Sequence, residues 1–112
     1  MKRLALKFGG TCIGSIEKIQ KVANIIKNKR EEGNELIVIV SAMFGTTDDL
    51  KRKSNLISKN FDTKELDVLL SSGEQISSSL LTGALIYLGI KARSWMGCKF
   101  QFLLMIIMHL HK

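Results

Sequence analysis

The strongest constraint on this chain is a change of hydrophobic period across a glycine pair near its start. Leu4, Ala5, Leu6 and Phe8 form a short apolar run that Gly9 and Gly10 end, which reads as a buried strand entering a tight loop. From Ser15 onward the period becomes helical: Ile16, Ile19, Val22, Ala23 and Ile26 fall on one face, Ser15 is placed to cap the helix, and Gly33-Asn34 to end it. Leu36 to Val40 is then apolar at every position, as in an interior strand covered by helices on both faces. Strand, helix and strand together make a βαβ unit.

The same reading continues down the chain. A loop from Ala42 to Thr47 precedes a helix expected to run to Lys59, with Asp48 and Asp49 in its first turn. Leu66 to Leu70 reads as a short helix. A longer one starts near Glu74, carries Ile76, Leu80, Leu81, Ala84, Leu85 and Leu88 on one side, and ends at Gly89. Ile90 to Trp95 is expected as the next strand. This alternation predicts an α/β fold with a mostly parallel sheet. At 112 residues without proline the chain has room for one domain or part of one, and 46% hydrophobic residues against 24% charged ones exclude a disordered chain.

A net charge of +7 suits nucleic acid, an anionic membrane or a phosphorylated small molecule equally. Its main clusters, Lys27, Lys29 and Arg30, then Lys51, Arg52 and Lys53, read as solvated helix faces without interleaved aromatics, so neither nucleic acid nor a membrane is expected as a partner. Lys2 and Arg3 precede an apolar run that Lys7 breaks at once, so no signal peptide is expected. The run from Phe100 to Met108 is far shorter than the roughly 20 residues that cross a bilayer. Cys12 and Cys98 lie far apart and outside any zinc-binding spacing, which points to a reducing cytoplasm and to no metal site.

Three motifs carry chemistry. Lys7-Phe8-Gly9-Gly10-Thr11-Cys12 stands where a strand ends and a helix begins, so backbone N–H groups, the helix N-terminus and a lysine can converge on phosphate; a tight turn with a solvated lysine is the plainer alternative. Ser41-Ala42-Met43-Phe44-Gly45-Thr46-Thr47-Asp48 follows the second strand, where open α/β sheets place ligands. Thr47 there is either a ligand-binding hydroxyl or the cap of the next helix. In Ser72-Gly73-Glu74-Gln75, Glu74 at a helix start is either a dipole partner or a carboxylate that holds an ammonium group.

In this order and at these separations the three motifs resemble the amino-acid kinase family, and within it the aspartokinases. That family opens its kinase domain with KFGGTS, follows it with a strand ending VSAM and a TTD-like loop, and then carries a GEQ-type motif. The matching residues are Lys7 to Cys12, Val40 to Met43 with Thr46 to Asp48, and Gly73 to Gln75, and the likeness runs from Met1 to about Gly97. It implies a three-layer α/β sandwich and transfer of the ATP γ-phosphoryl, with Mg-ATP as donor, to the β-carboxylate of L-aspartate. That reaction is the first step toward lysine, threonine, methionine and diaminopimelate. Lys7, Phe8, Gly9 and Gly10 would hold the ATP phosphates and Ser41 would line that site. Lys7 would also be the catalytic group, stabilising charge on the transferred phosphoryl, while Thr47 and Glu74 would bind aspartate. Members of the family are usually oligomeric.

The sequence departs from the family pattern in three places. Cys12 replaces a serine, and Phe44 stands where the loop commonly has a small residue. The second half of the kinase domain and the regulatory ACT domains have no counterpart here. Residues 1–97 are therefore expected to be the N-terminal part of the catalytic domain, and 98–112 an aberrant hydrophobic tail. Reading the codons of Lys99 to Ile106 one nucleotide upstream permits Gln-Ile-Pro-Ile-Phe-Thr-Asp-Asp, close to what family members carry there, so a frameshift is expected; a divergent hydrophobic strand is the alternative. His109 and His111 are then products of the wrong frame rather than metal ligands. The chain alone is expected to be inactive. The other readings are a non-catalytic remnant, a partner of a separately encoded second half, or another amino-acid kinase such as a glutamate or acetylglutamate kinase.

Overall fold

The computed structural model describes residues 2–96 and 103–107. Seven elements follow in order: β1 (Arg3–Phe8), α1 (Ile16–Glu31), β2 (Glu35–Val40), α2 (Thr46–Ile57), α3 (Thr63–Tyr87), β3 (Ala92–Met96) and β4 (Leu103–Ile107). Of the tail set apart from the sequence, only β4 lies within the described residues; His109 and His111 lie outside them.

The strands form one sheet in the order β1-β2-β4-β3. β1 and β2 run parallel, from Arg3 opposite Glu35 to Phe8 opposite Val40. β4 runs antiparallel to both β2 and β3, so β1, β2 and β3 share one direction, β1 and β2 form the parallel ladder, and the two ladders of β4 are antiparallel. Leu36, Val38 and Val40 are fully buried, with Ile19, Val22, Ala23 and Ile26 of α1 and Leu81 and Leu85 of α3 in the same core. On the other face of these strands Ala5 and Lys7 are exposed and Ile37 and Ile39 half-buried. The fold is α/β as expected; the second helix layer of a three-layer sandwich is not among the described residues.

α1 begins and ends as its sequence dictates. Lys18 N–H donates to Ser15 Oγ at 3.2 Å, which caps the helix. Gly33 takes a left-handed φ of 93°, and Asn34 Nδ2 donates to Lys29 O at 2.8 Å, so a side-chain amide covers a last-turn carbonyl. α3 ends similarly, with Gly89 at φ 86° and Ile90 N–H donating to Leu85 O at 2.9 Å.

Two helix boundaries differ from expectation. Asp62 caps one continuous helix of 25 residues, so the short helix at Leu66–Leu70 and the one expected from Glu74 are a single element. The hydroxyls that look like breakers bond back along the helix instead: Ser71 Oγ to Val68 O at 2.8 Å, Ser72 Oγ to Leu69 O at 2.6 Å and Ser77 Oγ to Gly73 O at 3.3 Å. Glu74 is therefore in mid-helix, and the dipole-partner reading of it falls. α2 starts before Thr47: Gly45, at φ 86°, is the cap, and Asp49 N–H donates to Gly45 O at 3.0 Å, so Thr47 is not the cap. Among the described residues no helix is long and apolar enough to cross a membrane.

Candidate functional site

The carboxyl ends of β1 and β2 bring the first two motifs together. Lys7 is the penultimate residue of β1, exposed, and opposite Ile39 in the register. After Phe8 the chain turns through Gly9 and Gly10, with Cys12 N–H donating to Gly9 O at 3.0 Å. The fully buried Ile13 anchors this loop to the core, and α1 starts three residues later. Ser41, next to the end of β2, is tied to the same place: its N–H donates to Phe8 O at 3.3 Å and its hydroxyl to the same oxygen at 3.4 Å. Lys7, Phe8, Gly9, Gly10 and Ser41 thus share one edge of the sheet, next to the N-terminus of α1.

Residues 42–46 link this edge to α3. Phe44 N–H donates to Gly10 O at 3.1 Å, and a Cβ on Gly10 would stand 2.7 Å from Ala42 O, so only glycine allows that approach. On the other side Gly73 packs on Ala42 and Thr46, which brings Glu74, the next residue of α3, close to the α2 N-terminus that carries Thr47. The Phe44 side chain is 75% exposed and points its bulk to solvent rather than into the loop. Cys12 is also exposed.

The charges sort themselves by pairing. Glu74 has no hydrogen-bond or ion-pair partner among the described residues, and burial pushes its carboxyl above the ordinary value. Asp49, by contrast, is held below its ordinary value by hydrogen bonds from Arg52 at 2.8 Å and Lys53 at 3.2 Å. The basic cluster of α2 is therefore partly neutralised on its own helix, in keeping with a solvated face. Sequence reasoning missed Lys18, whose Nζ donates to Thr11 O at 3.1 Å and so sets a second ammonium beside the glycine loop. A lysine in the first turn opposes the helix dipole, and that mismatch was the available signal.

The donor set fits phosphate at the glycine loop: the Lys18 ammonium, a helix N-terminus, and Gly9 with nothing within 4 Å of where a Cβ would be, with Lys7 exposed on the strand that leads into the loop. No group of three or more His, Cys, Asp or Glu that could hold a metal ion gathers among the described residues.

The chain is similar to known proteins over most of its length. The model of the amino acid kinase family matches residues 2–105. An aspartate kinase of Pseudomonas putida is 45% identical over 97 residues, covering 87% of this chain and 24% of its own length. An aspartokinase of Geobacillus stearothermophilus is 48% identical over 91 residues, 81% of this chain and 22% of its own length. A crystal structure of aspartate kinase from Synechocystis superposes with a TM-score of 0.80 at 44% identity, over 83% of this chain and 16% of that one. The chain thus spans about a quarter of the length of the curated relatives it matches. With its family matched over nearly all its residues and its fold shared with a solved member, this chain belongs to the amino acid kinase family.

Proposed function

We propose that this chain is part of an aspartate kinase, in which it holds the phosphates of ATP and the ammonium group of L-aspartate during transfer of the γ-phosphoryl to the β-carboxylate. The observation that carries this reading is the convergence of the three motifs on residues 41–47, with an unpaired, half-buried carboxylate at Glu74 on one side and the glycine loop on the other. Lys7 and the loop N–H groups balance the charge of the phosphates, Ser41 lines their site, and Thr47 and Glu74 orient the amino acid. Catalysis then consists of positioning and electrostatic stabilisation. Magnesium bound to the nucleotide would supply further charge neutralisation on its phosphates.

The chain alone is inactive in this reading, because the rest of the nucleotide and aspartate contacts belong to the part of the relatives that it does not span. A separately encoded second half would be its partner, in the oligomeric setting usual for the family. We read 98–112 as out of frame, on the codon argument given above, and the nucleotide sequence around Cys98 tests that directly. The functional test is titration of the chain with ATP and with L-aspartate, followed by amide chemical shifts. ATP is expected to move the signals of Gly9, Gly10 and Ser41, and aspartate those of Thr47 and Glu74. Aspartate-dependent ADP release by the chain alone, or shifts confined to other surfaces, would overturn the reading.

A further inference from the structure

At Gly73, helix α3 meets the loop of residues 42–46 without a side chain between them. A Cβ on Gly73 would lie 2.9 Å from Thr46 Cγ2, closer than real side chains come, and 3.1 Å from Ala42 Cβ, tight enough that the neighbour must shift. On the loop's other flank, a Cβ on Gly10 would lie 2.7 Å from Ala42 O and 3.2 Å from Phe44 N. Ala42 is 7% exposed and pressed from both sides by glycines that are distant in sequence. Gly83, further along the same helix, has nothing within 4 Å, so glycine serves no contact there.

We infer that Gly73 is a positioning residue: by lacking a Cβ it seats α3 against Ala42 and Thr46, and through residues 42–44 it sets the distance from Glu74 to the glycine loop that follows Lys7. Packed interiors are stiff, so a methyl group added at Gly73 displaces the loop rather than being absorbed locally. The displacement reaches Gly10 because Phe44 N–H is bonded to Gly10 O at 3.1 Å. The functional meaning of this spacing rests on the kinase reading, since phosphoryl transfer is sensitive to small errors of placement; the mechanical link does not.

Site-resolved amide exchange on the full 112-residue chain tests it without any ligand. In Gly73→Ala the Phe44 amide is expected to exchange roughly tenfold faster relative to the amides of β2, the factor that follows from a local overpacking cost. Thr46→Ser removes the methyl group that the new side chain strikes, so the double variant is expected to recover most of the protection. Gly83→Ala, on the same helix, is expected to leave Phe44 unchanged. Unaltered protection of Phe44 in Gly73→Ala, an equal rise across β1, β2 and α1 as in global destabilisation, or no recovery in the double variant overturns the inference. Where Gly73→Ala alone does not fold, a folded double variant supports the contact and an unfolded one overturns it. A chain that binds neither ATP nor aspartate refutes the kinase reading and leaves this result standing.

Discussion

Removing the ammonium of Lys7 isolates the electrostatic part of the proposed phosphate site. Lys7 is exposed at the end of β1, just ahead of the glycine turn, so its attraction for a bound phosphate acts through a partly aqueous medium. Two unit charges about 4 Å apart attract by about 1 kcal/mol in water and about 4 kcal/mol at the effective dielectric of a protein surface. Exposure places Lys7 toward the lower end, at about 1–2 kcal/mol, which corresponds to a roughly 5–30-fold weaker affinity for ATP in Lys7→Ala. Binding should weaken rather than vanish, because the loop N–H groups, the α1 N-terminus and Lys18 remain. The difference between the two chains should also shrink at high salt, since exposed charges are screened. Nuclear magnetic resonance titration with ATP at low and high ionic strength reads both effects. Equal affinities at low salt would refute the argument. So would an equal loss in Lys2→Ala, which removes an exposed cation from the opposite end of β1.

Four further outcomes are expected. Glu74 is pushed above its ordinary value by burial, so its native form holds a proton more tightly than its unfolded form; stability falls as pH rises through the window above 4.5, and Glu74→Gln removes that fall in pH-dependent thermal unfolding. Aspartate binding runs the opposite way, because an ammonium group needs the ionised carboxyl, and it should fade on acidification in the native chain but stay weak and pH-independent in Glu74→Gln. Leu81 is fully buried between α3 and the core, and Leu81→Ala is expected to cost about 2–5 kcal/mol in denaturant unfolding. Gly83→Ala, in open space in mid-helix, is expected to stabilise by about 1 kcal/mol in the same assay.

Much of the candidate site was legible because it is built from local signals. The glycine pair after an apolar run, the Ser15 cap and the helical spacing of Ile19, Val22, Ala23 and Ile26 each depend on a few neighbouring residues, and all three stand in the structure where the sequence puts them. Thr47 and Glu74 stand out in the sequence, but their local settings do not: the cap alternative for Thr47 and the helix start expected at Glu74 are not what the fold has. Gly45 rather than Thr47 caps α2, because a left-handed glycine can take the cap position without a side-chain bond. Ser71, Ser72 and Gly73 read as a break although α3 runs through them: the hydroxyls bond within the helix, and the glycine is needed by a neighbour far away in sequence.

The sequence by itself determined the βαβ start, the glycine loop and the family, since those rest on hydrophobic period, caps and short motifs. Only the tertiary structure decided that Gly10 and Gly73 press on the same alanine, that Lys18 reaches back to Thr11, and that β4 runs between β2 and β3 against their direction. These are contacts between residues far apart along the chain, chosen by shape and by the pairing of strand edges. Neither leaves a periodic trace in the sequence of either partner.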